Sequence, residues 1–269
     1  MDSLDGKAHH LETILAAMDH AVVLYSGGVD SSLVAYLARR VIGERAWAVT
    51  LLSPLSPPGE VERARAFAAE ARLGLAEIAV DETALPEFAA NPPHRCYLCR
   101  KVRQEVVRRW AAPRGFSLLL DGMNVSDLDD DRPGMRAADE EGVRHPLIEA
   151  AFAKADVRDL SRRLGLSGWD RPAQPCLASR FPHRFALDGE RLDRVARAEA
   201  FLKDLGLEAF RVRHLPYRTA VVAASRPEVL LERRQEILRT LGGLGFDFVT
   251  VDLEGLVSGS LNRTKEEER

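Results

Sequence analysis

The sequence predicts an α/β protein in which a parallel sheet covered by helices is followed by a smaller α+β unit. Three observations predict it. Short apolar runs such as Ala46–Leu52 and Ala76–Val80 alternate with amphipathic stretches long enough for helices, the pattern of strands buried on both faces. The apolar run His20–Tyr25 passes through Gly27-Gly28 directly into Asp30-Ser31-Ser32 and a second apolar stretch, a strand turning into a helix. Beyond Phe181 the order becomes helix, strand, turn, strand, helix, strand. That change places a boundary near 180 and divides the chain into residues 1–180 and 181–269.

Taken in order, Leu4, Leu11, Ile14, Leu15 and Met18 share one helical face and predict an opening helix within residues 3–19. His9 and His10 on it project to different sides and read as surface residues. After the Gly27-Gly28 turn and its helix comes the strand Ala46–Leu52, broken by Ser53-Pro54 and Pro57-Pro58-Gly59 before a helix over Glu60–Leu73. Ala76–Val80 is the third strand. A helix over Tyr97–Ala111 leads to the fourth, Ser117–Asp121, and another helix runs over Lys154–Leu164 to a cap at Gly165. In the second unit the expected elements are helix Gly189–Leu205, strand Phe210–His214, a turn at Pro216-Tyr217, strand Ala220–Ala224, helix Pro227–Leu241 and strand Phe248–Leu253. Ligands of such sheets bind at the carboxyl ends of the strands, where Ser26–Ser31 and Asp121–Asn124 both fall.

The composition narrows the function classes. Of 269 residues 46% are hydrophobic and 29% charged, the balance of a globular protein, and a net charge of −3 gives no sign of a nucleic-acid partner. The first residues carry no basic and apolar leader, and no stretch approaches a membrane span; a cytoplasmic, non-membrane protein is expected. Three cysteines, an odd number, do not suggest a secreted disulfide framework. The acidic run Asp127–Asp131 reads as a solvated loop or as part of a site, and the tail Lys265–Arg269 as frayed.

Val22–Val34 has the chemistry of a phosphate cradle. Gly27 and Gly28 permit a tight turn and close approach of an anion, while Ser31 and Ser32 stand at a helix N-terminus with its free N–H groups, and Ser26 adds a hydroxyl from the strand. A Walker loop would need a lysine after its second glycine, and none occurs between residues 8 and 100. The S-G-G-V-D-S segment instead resembles the PP-loop of the ATP pyrophosphatases, which release pyrophosphate and leave AMP on a substrate oxygen. The resemblance implies an adenine nucleotide alpha hydrolase-like domain in which Asp30 helps place Mg2+.

Cys96-x-x-Cys99 alone is ambiguous between a redox pair, half a zinc site and two unrelated thiols. Cys176, in the polar connection Trp169–Arg180, makes a third. A closed zinc site would need a fourth ligand such as His94 or His183, and a cubane cluster held by three cysteines leaves one iron open. An open iron could hold a hydrosulfide and pass it to an ATP-activated electrophile. A nucleotide-binding module with a zinc knot at the three thiols is the non-enzymatic alternative.

Several segments together are similar to one family: S-G-G-V-D-S, R-C-Y-L-C, D-G-M-N with its following acids and R-P-G, H-P-L, W-D-R-P-A-x-x-C-L-A-S-R, R-V-R-H and S-G-S-L-N. They resemble LarE, the sulfur transferases of nickel-pincer nucleotide biosynthesis, over nearly the whole length. The resemblance implies that ATP adenylates a carboxylate of pyridinium-3,5-biscarboxylic acid mononucleotide and that sulfur displaces AMP to give a thiocarboxylate. It implies nucleotide binding by Ser26, Gly27, Gly28, Asp30, Ser31, Asp121, Gly122 and Asn124, and receipt of the substrate phosphate by Ser179, Arg180, Glu199, Arg211 and Arg213. For Arg211 and Arg213 the charged outer face of a strand is the alternative, since they flank Val212. Members divide between those giving up the sulfur of one cysteine, here Cys176, and those whose three cysteines, here Cys96, Cys99 and Cys176, hold a [4Fe-4S] cluster; three thiols point to the second. The family also implies a homo-oligomer, a hexamer built through the C-terminal unit. Thr219–Val222 lacks the arginine and acid common in the family at that point, and Ser126 stands where a second acid is frequent. A PP-loop tRNA thiolase is the rival enzyme, and it would need a basic RNA-binding surface.

Overall fold

A computed structural model describes residues 3–128, 133–172, 174–257 and 260–261. The acids Asp129–Asp131, most of the S-G-S-L-N segment and the charged tail Lys265–Arg269 lie outside the described residues. The chain divides into two compact units, and the division is not a single cut. The first holds residues 1–53, 59–80 and 96–173; the second holds 54–58, 81–95 and 174–269. Compared with the boundary expected near 180, two early stretches have joined the second unit.

In the first unit α1 (Leu4–Ala16) leads to β1 (Ala21–Leu24), α2 (Val29–Ile42), β2 (Ala46–Leu52), α3 (Glu60–Glu70) and β3 (Gly74–Ala79). Later come α5 (Arg95–Ala111), β4 (Leu119–Leu120), α6 (Pro133–Glu140), α7 (Pro146–Glu149) and α8 (Lys154–Arg163), with the short α4 (Pro86–Ala89) falling in the second unit. The sheet order is β3-β2-β1-β4 and every pairing is parallel, as the apolar runs require. Side chains alternate across it. Ala21 and Val23 enter a core with Leu33, Leu37 and Leu15, whereas Val22 enters a second core with Val49, Val107 and Leu119. Both faces of β1 are therefore covered, which fixes the strand that carries the glycine turn.

The second unit contains α9 (Gly189–Asp204), β5 (Phe210–Leu215), β6 (Thr219–Ala224), α10 (Pro227–Glu232), α11 (Arg234–Gly243) and β7 (Phe248–Val251), its sheet ordered β5-β6-β7. β5 and β6 are antiparallel and β6 and β7 parallel. The single helix expected over Pro227–Leu241 is two, because Arg233 leaves the helical range at φ −99°, ψ 15°. Asn91 ties the early stretch into this unit. It is fully buried at φ 55°, and its amide donates to Pro182 O at 2.7 Å and Phe185 O at 3.1 Å while its side-chain oxygen accepts from Arg95.

Candidate active site

The cradle forms where β1 ends. Gly27 has φ +74°, a left-handed conformation, and an added Cβ would lie 2.9 Å from Ala64 Cβ. Glycine is required there twice over. Gly28 is different: its φ of −74° suits any residue, and a Cβ would meet only Ser26 Oγ at 3.3 Å, which leaves close approach of an anion as its reason. Gly28 is the N-cap of α2 and no side chain caps that helix, so the first N–H groups remain for a phosphate. The hydroxyls are organised around the turn. Ser31 Oγ donates to Gly28 O at 3.2 Å, accepts from Ser26 N at 3.3 Å and lies 3.2 Å from Ser26 Oγ. Behind them Tyr25 donates its phenol to Ala64 O at 3.1 Å, and burial pushes that phenol up to about 12, so it stays protonated.

The Asp121–Asn124 turn packs against this loop. A Cβ on Gly122 would lie 2.5 Å from Ser31 N, so the two backbones touch. Asn124 Nδ2 donates to Asp30 Oδ1 at 3.2 Å, and Lys154 Nζ donates to Asp30 Oδ2 at 2.5 Å. The carboxylate of Asp30 thus stands between an amide and an ammonium. Lys154 is the cation that the loop itself lacks, supplied from the first turn of α8. A lysine there opposes the positive end of the helix dipole, and that local misfit is the signal in the sequence that marks it.

Asp121 has a different task. It is 3% exposed, and its Oδ1 accepts from Met123 N at 3.0 Å and from His145 Nδ1 at 2.7 Å, while Arg100 pairs with its Oδ2. His145 Nε2 lies 3.2 Å from Asp139 Oδ1. Burial alone would pull this imidazole down, but the hydrogen bonds and charges of Asp121 and Asp139 outweigh it and hold His145 above its ordinary value. Sequence reading assigned a role to Asp121 and none to Arg100 or to His145, although His145 opens the H-P-L segment.

In the second unit the residues around Cys176 form a second group. Arg180 is 4% exposed and its Nε and Nη2 donate to the two oxygens of Glu199 at 2.8 and 3.0 Å. Its Nη1 donates to Pro175 O at 3.0 Å and Ser179 Oγ at 2.8 Å, and Ser179 Oγ donates to Cys176 O at 2.8 Å. Glu199 also accepts from Val212 N at 3.0 Å. All three nitrogens of Arg180 are thus spent on protein, fixing the backbone on both sides of the thiol. Arg213 is buried and pairs with Asp252, so it does not lie on a charged outer face. Arg211 is half-buried, and burial together with the cations of Arg180 and Arg213 lowers its guanidinium from its ordinary value, against the pull of Glu199. Among the described residues it has no carboxylate hydrogen bond, so of these arginines it is the one left with charge to offer an anion.

Cys96 is exposed and Cys99 half-buried, one turn apart at the start of α5, and Cys176 is half-buried just ahead of the turn Leu177–Arg180. Among the described residues no group of three or more His, Cys, Asp or Glu is arranged to hold a metal ion, and no helix is long and apolar enough to cross a membrane.

A parallel sheet, a hydroxyl-lined Gly-Gly turn at the carboxyl end of β1 and the absence of a Walker lysine define a PP-loop protein of the ATP pyrophosphatase class. The NAD synthase family matches residues 10–92. A pyridinium-3,5-bisthiocarboxylic acid mononucleotide synthase of Lactiplantibacillus plantarum is 34% identical, over 98% of this chain and 96% of its own. An uncharacterised protein of Synechocystis is 41% identical over 97% of this chain and 98% of its own. A glutamine-hydrolysing GMP synthase of Aeropyrum pernix is 31% identical over 68% of this chain and 39% of its own. The chain belongs to the LarE family.

Proposed function

We propose that this protein is an ATP-dependent sulfurtransferase that adenylates a carboxylate of pyridinium-3,5-biscarboxylic acid mononucleotide and converts it to a thiocarboxylate. The observation that carries the reading is the cradle at Gly27-Gly28 with Asp30 and Lys154 beside it; the full-length likeness to the bisthiocarboxylic acid mononucleotide synthase supplies the substrate class. A carboxylate is a poor acyl donor until its oxygen joins a leaving group, and AMP provides one when pyrophosphate departs. The free N–H groups of α2 receive the phosphates. Asp30 is the carboxylate available to Mg2+, and both its oxygens are engaged by donors. A magnesium nucleotide therefore competes with Lys154 for Asp30, and the displaced ammonium then has the departing pyrophosphate to neutralise.

Cys96, Cys99 and Cys176 are the residues that would hold a [4Fe-4S] cluster. Three thiols, two of them one helical turn apart, are the donor type such a cluster takes. When bound, such a cluster supplies sulfur at the iron the polypeptide leaves unligated. Ser179 and Arg180 hold the chain on both sides of Cys176, and Arg211 is the cation for the substrate phosphate. Assembly as a homo-oligomer and a cytoplasmic location belong to the same reading.

The test is anaerobic purification, iron and sulfide counts per chain, and assay of pyrophosphate release and thiocarboxylate formation with the dicarboxylate mononucleotide. About four irons per chain, lost in Cys96→Ala, Cys99→Ala and Cys176→Ala alike, with product formed by wild type, is the expected result. Turnover without iron, with one sulfur missing from Cys176 by mass, would replace the cluster by a sacrificial cysteine. Absence of pyrophosphate release with this substrate would overturn the assignment.

A further inference from the structure

The carboxylate of Asp121 does not reach the cradle; what it holds is the turn that does. Asp121 Oδ1 accepts from Met123 N inside the turn, and the same oxygen accepts from His145. The next residue, Gly122, touches the backbone of Ser31, and Asn124 reaches Asp30. A shift of Asp121 is therefore passed to the nucleotide loop with no slack between them. His145 itself cannot drift. Arg144 N donates to Leu119 O at 2.9 Å and Asp121 N donates to Arg144 O at 3.1 Å, so the residue before His145 is stitched to the end of β4, and Pro146 starts α7 directly after it.

Both ring nitrogens of His145 face carboxylate oxygens, at 2.7 Å on Asp121 and 3.2 Å on Asp139. A neutral imidazole has one donor and one acceptor and would set a lone pair against one of them. Only the imidazolium satisfies both. The charged groups around it are Asp121 at the end of β4, Arg100 of α5 beyond Asp121, Asp139 of α6, and the Arg144–Glu149 pair that flanks it on its own segment. Loss of the proton leaves Arg100 as the only cation on Asp121 among the described residues.

We propose that His145 is a positioning residue of the nucleotide site: as an imidazolium it fixes Asp121, and through Asp121 the Asp121–Asn124 turn, so that ATP affinity weakens as the proton is lost. The inference rests on reading the cradle as a nucleotide site. It is tested on the full chain by calorimetric titration with magnesium ATP from pH 6 to pH 9, in wild type and His145→Gln, with thermal unfolding of both. Wild-type affinity should fall about tenfold across the range, the scale of one hydrogen bond to a charged group. His145→Gln should be weak and flat, matching wild type at the alkaline end. The same pH slope in His145→Gln, or a flat wild type, would overturn the role of His145 alone; no binding of magnesium ATP by wild type at any pH would overturn the nucleotide reading with it. A second measurement needs no variant. Nitrogen-15 spectra of the wild-type ring from pH 6 to pH 9 should show both nitrogens protonated at the acid end and the proton lost only above the ordinary imidazole value near 6.5, and a neutral tautomer throughout would overturn the inference even if the variant fails to fold.

Discussion

Gly122→Ala puts one methyl group where the two halves of the cradle meet. Its Cβ would lie 2.5 Å from Ser31 N, 2.8 Å from Asp30 C and 2.9 Å from Ser31 Cα, all of them backbone atoms of the first turn of α2. None can swing aside as a side-chain tip would. The turn must retreat by roughly 1 Å to restore ordinary contact, and overpacking of this kind costs about 1–3 kcal/mol. Retreat also draws Asn124 away from Asp30, so affinity for magnesium ATP should fall along with stability. Urea unfolding measures the first effect and calorimetric titration the second. Gly242→Ala is the contrast: it lies in α11 with nothing within 4 Å of the added Cβ and should stabilise by about 0.4–1 kcal/mol. If Gly122→Ala stays within about 0.5 kcal/mol of wild type and binds ATP equally well, the reasoning that the turn and loop form one rigid contact is wrong.

Lys154→Met removes the ammonium at Asp30 while leaving a half-exposed site, and pyrophosphate release should drop about 10²-fold with little change in thermal stability; an unaltered rate would remove Lys154 from the chemistry. Arg180→Ala strands Glu199 in a buried setting and should cost about 3–5 kcal/mol in urea unfolding, whereas Arg180→Met combined with Glu199→Leu should recover most of it. Equal losses in the single and double variants would show that the pair's charge is not what matters. The raised His145 gives the unfolding of the first unit a pH dependence: its contribution is fully present below the unfolded value near 6.5 and is lost as pH climbs through the higher folded value. Melting temperature should therefore decline from neutral to alkaline pH, and less steeply in His145→Gln.

What the sequence made legible is what chemistry within a few residues decides. Ala46–Leu52 reads as a buried strand because seven apolar or β-favouring residues stand in a row, and it is one to the residue. The Gly27-Gly28 turn is legible because a left-handed φ and an uncapped helix start leave a local imprint. The partners of Asp30 and Asp121 are not legible in that way. Lys154 lies 124 residues from Asp30, and His145 24 from Asp121, so only the folded sheet brings them together. The break at Arg233 was missed for another reason: the apolar spacing on both sides is helical, and one residue departing from helical angles leaves that period intact.

The second unit is stitched from stretches that begin at Pro54, Asp81 and Gln174. On a ribosome the first unit has all its residues once residue 173 has emerged, whereas the second then still lacks 174–269, and Asn91 waits for Pro182 and Phe185 before its amide has anything to hold. Cutting the gene at residue 180 would not separate two modules. It would release one fragment missing the stretches 54–58 and 81–95 and another carrying a buried amide without its acceptors Pro182 and Phe185, and co-expression of the two pieces is the way such a split could be made whole.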